Sequence, residues 1–171
     1  MTLQADKLKQ WPIPEGRQSY TTRDTILYAL GIGCGMDPVD EAELQYVYEK
    51  SLKAFPSMAH VLGYPGFWMK DVDPALGVDW RRLLHGEQTM KLEAPIPPEG
   101  SVIGRTRILG IYDKGAGKDA VIVTQRDIAD AASGKGLGFV TSTLLLRGAG
   151  GFGGPAGPAS GAEAGPGSDP D

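Results

Sequence analysis

The hydrophobic pattern of this chain changes period once, close to His85, and that change limits the folds open to it. Before this point apolar residues recur at helical spacing between capping residues and glycines. After it come four extended runs, "EQTMKLEAPIP", "SVIGRTRILGIYD", "DAVIVTQRDIAD" and "GLGFVTSTLLLR". β-Branched residues crowd these runs, prolines stop the first, and "KGAGK" supplies a glycine turn. The class is therefore α+β, helices first and an antiparallel sheet of about four strands second. Ile108, Ile111, Val121, Val123, Ile128, Val140 and Leu144 to Leu146 are expected on the inner face of the sheet, under the helices.

Within the first half, "YTTRDTILYALGIGCG" carries both ends of a helix. Thr21 or Thr22 caps its start, Asp24 complements the positive end of the dipole, Ile26, Leu27 and Leu30 share one face, and Gly31 and Gly33 end it. "DPVDEAELQYVYEKSLKAF" predicts a second, short helix capped by Asp40, with Leu44, Val47 and Tyr48 at helical spacing. "FPSMAHVLGYPGFW" is apolar throughout and predicts one buried helical turn after Pro56, broken by Gly63 and Pro65.

From Gly148 to Asp171 the chain holds 9 of its 25 glycines, 4 of its 13 prolines, one aromatic and no Lys or Arg, so this stretch can bury little. The expected division is a domain over 1–150 and a flexible linker over 151–171. A unit of roughly 150 residues buries about 68–70% of its unfolded surface, enough for a core without disulfides or metal. The lone Cys34 agrees with that. Net charge is −4, and Glu163, Asp169 and Asp171 carry three of those charges, so there is no basic surplus to drive nucleic-acid binding. No apolar run approaches ~18 residues and Met1 to Gln10 is polar, which points away from membrane and secretion and towards a cytoplasmic soluble protein.

Two glycine patterns invite a nucleotide site. Gly148, Gly150 and Gly153 fit G-x-G-x-x-G after a strand, but a dinucleotide fingerprint has to open a helix, and here it opens a Gly/Pro run. "KGAGKD" lacks the first glycine of a phosphate loop and has Asp119 where Ser or Thr belongs, so a hairpin turn explains it. The two histidines, His60 and His85, have no second His or Cys at metal-ligand spacing, and no zinc site is expected. His60, in "PSMAHVLG", reads as a satisfied, half-buried residue. "RRLLHGEQ" places an imidazole, a carboxylate and an amide within four residues at the start of a strand. His85 with Glu87 as its orienter suits a general base. The preferred alternative is that the two, being two apart on a strand, share a face and contact substrate or neighbouring loops. Asp24 reads as a helix-start residue, while Arg23, Arg81, Arg82, Lys114 and Lys118 read as solvated surface.

In chain order, "YTTRDTILYALGIG", "LLHGEQTMKLEAPIPPEG" with the following "YDKGAGKDAVI", and "TLLLRGAGGFGG" resemble the N-terminal half of the MaoC-like hydratases. The likeness is to the type 2, (R)-specific enoyl-CoA hydratases, found alone in bacteria and inside peroxisomal multifunctional enzymes, and it spans about residues 17–155. It implies a single hot-dog domain, a curved antiparallel sheet wrapped on a central helix. It also implies reversible hydration of a trans-2-enoyl-CoA to the (3R)-hydroxyacyl-CoA, in fatty-acid or steroid side-chain metabolism. No cofactor is implied beyond the CoA thioester that is the substrate.

Family members of this type resemble two hot dogs in one polypeptide. The first shapes the acyl tunnel, its central helix cut short to admit bulky groups. The second carries a D-x-N-P-x-H segment, in which Asp and His handle water while backbone N–H groups hold the thioester oxygen. That segment is missing here: the chain contains no Asn, and Asp79 and His85 are one residue too far apart. The resemblance therefore implies the substrate-shaping half, inactive alone, with the Gly/Ala/Pro run as its linker to a second half. His60, Phe67, Trp68, His85, Gly86, Glu87 and Gln88 are the implied substrate-binding residues, and His85 and Glu87 those to which any catalysis falls. The implied partners are acyl-CoA and a second hot-dog domain, in a homo- or hetero-dimer. Three other readings stay open: a non-catalytic subunit of a heteromeric hydratase, an acyl-CoA thioesterase of the same fold using His85 with Glu87 or Asp79, and a plain binding module.

Overall fold

The computed structural model describes residues 1–37 and 39–157. One antiparallel sheet dominates it, built from β1 (Gly16–Tyr20), β2 (Leu83–Leu92), β3 (Gly100–Asp113), β4 (Ala120–Asp130) and β5 (Gly136–Leu146) in the order β1-β3-β4-β5-β2. β3, β4 and β5 follow one another as hairpins, whereas β1 and β2 come from earlier in the chain and form the two edges. Against the sheet lies a central helix reduced to five residues of 3-10 geometry, Pro56–His60, with Met58 and Ala59 buried. This is the expected hot-dog arrangement with a shortened helix. It has one strand more than the apolar runs predict: β1, "GRQSY", has no β-branched residue and buries only Gly16 and Tyr20.

Three α-helices flank this frame: α1 (Ala5–Lys9), α2 (Thr22–Gly31) and α3 (Glu41–Val47). α2 starts in a capping box. The Thr21 amide donates to Asp24 Oδ2 at 2.8 Å and the Asp24 amide returns to Thr21 Oγ1 at 3.4 Å, an arrangement worth ~1 kcal/mol. Its buried face is Thr25 and Ala29, not the expected stripe of Ile26, Leu27 and Leu30; the two leucines are about half exposed. The small side is turned inwards because Thr25 Oγ1 donates to the Pro98 carbonyl at 2.7 Å, drawing the helix onto the loop after β2. Asp40 caps α3 as expected, accepting from the Ala42 amide at 2.8 Å. The polar first residues also fold in, since α1 and its approach carry Leu8 and Leu3 into the core. Each such leucine contributes ~1.5–3 kcal/mol.

On β4 the buried residues are Ala120, Ile122, Thr124, Arg126 and Ile128, so Val121 and Val123, expected on the inner face, lie on the other one. An offset of one residue exchanges the faces of a whole strand. On β3, Ile108 and Ile111 both face inwards although three apart, because a bulge shifts the register between Ile108 and Gly110. The core forms two clusters, one around Leu8, Met69, Ile108 and Ile122, the other around Met58, Leu62, Val102 and Ile128. Between them Gly104, Thr106, Thr124 and Arg126 make a belt of small and polar residues across the paired strands. At this belt the chain beyond the central helix touches the sheet backbone: a Cβ on Gly16 or Gly104 would enter the Gly63 carbonyl, and Gly63 itself turns with φ +62°.

The chain beyond β5 is held by Asp113. Its carboxylate accepts the amides of Gly115 at 2.8 Å and of Gly151 and Gly153 at 2.7 Å each, and its own amide donates to the Pro155 carbonyl at 2.8 Å. These donors, Gly151 foremost, hold the carboxyl below the usual aspartate range. Residues 151–157, the start of the expected linker, thus lie on the domain; the rest of that linker is outside the described residues.

Candidate functional site

β2 pairs only with β5 and carries six consecutive exposed residues, from Leu84 to Thr89, along an edge with no partner among the described residues. The edge is interrupted at Gly86. His85 pairs with Leu144 and Glu87 with Thr143, so Gly86 is an inserted bulge residue. Leu144 and Thr143 are neighbours on β5, and their partners therefore point to opposite faces of the sheet. This corrects the expectation that His85 and Glu87 share a face: the bulge pairs His85 with Gln88 on one side and leaves Glu87 on the other. A His85 base oriented by Glu87 does not arise from this geometry.

His60 ends the central helix and is half-buried, with a buried Nδ1 that has no hydrogen-bond partner among the described residues. Burial, then the Arg126 cation, then His85 depress its pKa below the ordinary histidine range, so the two histidines lie within electrostatic reach of each other. Arg126, only 6% exposed, donates through one Nη to the carbonyls of Ala59 at 3.0 Å and His60 at 2.6 Å. Its guanidinium also lies 5.5 Å from the centre of the Tyr64 ring. Nothing in "TQRDI" marks this arginine as buried except its place in the β4 alternation.

Phe67 is 41% exposed and meets Trp80, itself 38% exposed, edge-on with ring centres 6.0 Å apart, just ahead of β2. Trp68 was expected beside it as a substrate contact. Instead it is 6% exposed and packed with Met69, Val72 and Leu76, a core residue of the first cluster. At the far end of β2, a groove of about 640 Å³ is lined by Tyr46, Leu52, Ala54, Pro56, Leu92 and Ile96. Its walls are mostly apolar, with Lys53 and Glu93 the charged residues among them.

The glycine pattern Gly148, Gly150 and Gly153 opens no helix: the Gly148 amide donates to Asp119 Oδ1 and the Gly150 amide to the Lys118 carbonyl, while the amides of Gly151 and Gly153 close on the Asp113 carboxylate, so the anion in this backbone nest belongs to the chain itself. "KGAGK" is the β3–β4 hairpin turn, closed by the Lys118 amide on the Gly115 carbonyl at 3.0 Å. Among the described residues no three His, Cys, Asp or Glu gather as a metal site, and no helix is long and apolar enough to cross a membrane.

Comparison with known proteins gives these features a family. The chain is 36% identical over 162 residues to the peroxisomal enoyl-CoA hydratase 2 of Arabidopsis thaliana, covering 86% of this chain and 49% of that protein. Its structure is similar to that of a MaoC-like dehydratase from Phytophthora capsici, with a TM-score of 0.66 and 27% identity over 92% of this chain and 55% of the other. It is also similar to the full-length peroxisomal multifunctional enzyme type 2 of Drosophila melanogaster, with a TM-score of 0.64 and 25% identity, covering 92% of this chain and 26% of that one. The chain spans about half the length of the curated relatives it matches. Residues 18–148 match the model of the MFE-2 hydratase 2 N-terminal domain, and the chain belongs to that family.

Proposed function

We propose that this chain is the substrate-shaping half of an (R)-specific 2-enoyl-CoA hydratase and pairs with a second hot-dog domain through the edge of β2. The observation that carries this reading is the exposed edge from Leu84 to Thr89, with His85 and Gln88 on one face beside the end of a broken central helix. An unpaired edge is a ready template for another sheet. The relatives, about twice as long, have room for a second domain of this size.

In the proposed reaction a hydroxyl adds at C3 of a trans-2-enoyl-CoA and a proton at C2. The proton-handling Asp and His come from the second domain, since this chain has no D-x-N-P-x-H segment. The residues here bind and orient. His60, His85, Gly86 and Gln88 face the thioester end, Phe67 and Trp80 give apolar surface next to it, and the space beside the shortened helix takes the acyl chain. Glu87, on the opposite face of the bulged edge, lies towards the partner. The cytoplasm is the proposed compartment, and cell fractionation checks it.

The test is hydration of a trans-2-enoyl-CoA, followed as loss of the conjugated thioester absorbance, first by this chain alone and then with a C-terminal hot-dog half added. No turnover alone and turnover on addition is the expected result. Turnover by the chain alone overturns the division of labour, and release of free CoA instead identifies a thioesterase.

A further inference from the structure

Arg126 is a cation on the inner face of a sheet, 6% exposed, and none of the ion pairs among the described residues includes it. Burying a charge without a counter-ion is costly unless hydrogen bonds replace its water. The replacements here are the carbonyls of Ala59 and His60 and the face of Tyr64. Among the described residues these two carbonyls have no backbone donor. A continued α-helix would bond them to the amides of Gly63 and Tyr64, but the helical ladder ends with Val61 and Leu62, whose amides both donate to the Met58 carbonyl. The Gly63 amide leaves the helix altogether and donates to Gln18 Oε1 at 3.0 Å. The severed helix end is therefore tied at two points, by Arg126 from β4 and by Gln18 from β1. The Arg126 tie falls on the polar belt that separates the two core clusters, and the Gln18 tie beside it, opposite Val102 of the second cluster.

We propose that Arg126 is a positioning residue for substrate: its guanidinium replaces the missing helical turn and fixes the end of the central helix, with His60, at a set height over the sheet. The proposal rests on the reading of this chain as an acyl-CoA-binding half. A methionine would fill the same volume at less desolvation cost, so filling space does not account for the charge. What the charge adds is a hold on two carbonyls at once. Released from it, the helix end settles towards the sheet and takes up room that a long acyl chain needs, while a short acyl group is unaffected.

Calorimetric titration of the whole chain with butanoyl-CoA and hexadecanoyl-CoA tests this in wild type, Arg126→Met and, as a control on an exposed arginine, Arg107→Met. Arg126→Met is expected to weaken hexadecanoyl-CoA by about tenfold relative to butanoyl-CoA, the scale of one lost charged hydrogen bond, with Arg107→Met unchanged. An unchanged ratio in folded Arg126→Met overturns the proposal. Amide hydrogen exchange, which needs no ligand, is the second measurement: exchange at Val61 and Leu62 should speed up in Arg126→Met while the β3–β4 ladder stays protected. If wild type binds neither acyl-CoA, the acyl reading fails, and unchanged protection at Val61 and Leu62 then overturns the tie by itself. Should Arg126→Met not fold, Arg126→Gln, which keeps a neutral donor, replaces it in both measurements with the same expected outcomes.

Discussion

Phe67 and Trp68 are adjacent, similar in chemistry and opposite in role. Trp68 lies in the core with 6% exposure, whereas Phe67 stands 41% exposed against Trp80. Trp68→Ala should therefore cost about 3–5 kcal/mol of stability by urea denaturation. Phe67→Ala should leave the midpoint nearly unchanged and weaken acyl-CoA binding. Equal stability losses would show that the two share one role. The sequence places both in an apolar run, and nothing local distinguishes them, because facing in or out depends on the path of the 3-10 turn Trp68–Asp71 across the sheet. Gly86 poses the same difficulty. "HGEQ" is legible as a strand start, but the bulge that parts His85 from Glu87 exists only through the register with β5. Arg126 is equally silent in sequence, since its partners are carbonyls some 66 residues earlier in the chain.

Elements whose signals are local were readable. The capping box of α2, the Asp40 cap, the short helical turn at Pro56 and the "KGAGK" hairpin each depend on contacts within a few residues. Elements that depend on a distant partner were not, as β1 and the buried face of α2 demonstrate. The Asp113 nest belongs with this second group, joining the β3–β4 turn to residues 151–155. Its carboxyl titrates lower in the folded chain than in the unfolded one. Its contribution is therefore complete above the ordinary aspartate range and is lost as pH falls through the depressed folded value. Asp113→Asn should lower the denaturation midpoint at pH 7 and narrow the gap between pH 7 and pH 3. A gap as wide as in wild type would mean that the nest does not depend on ionisation.

At the scale of the molecule, the strand order separates a local part from a distant one. β3, β4 and β5 close through two short turns, but β2 must meet β5 from some fifty residues upstream, and β1 must meet β3 from about eighty upstream. Loop closure over such distances costs entropy before any contact repays it. In folding time, the central meander should assemble first and the two edges should add late. Pulsed hydrogen-exchange labelling during refolding should accordingly protect the amides of β3, β4 and β5 before those of β2; simultaneous protection would contradict this order. Because His85 and its bulge lie on β2, that edge exists only after the rest of the sheet is built; until β1 and β2 add, β3 and β5 are the open edges of the meander, and their late closure removes two unpaired strands at once.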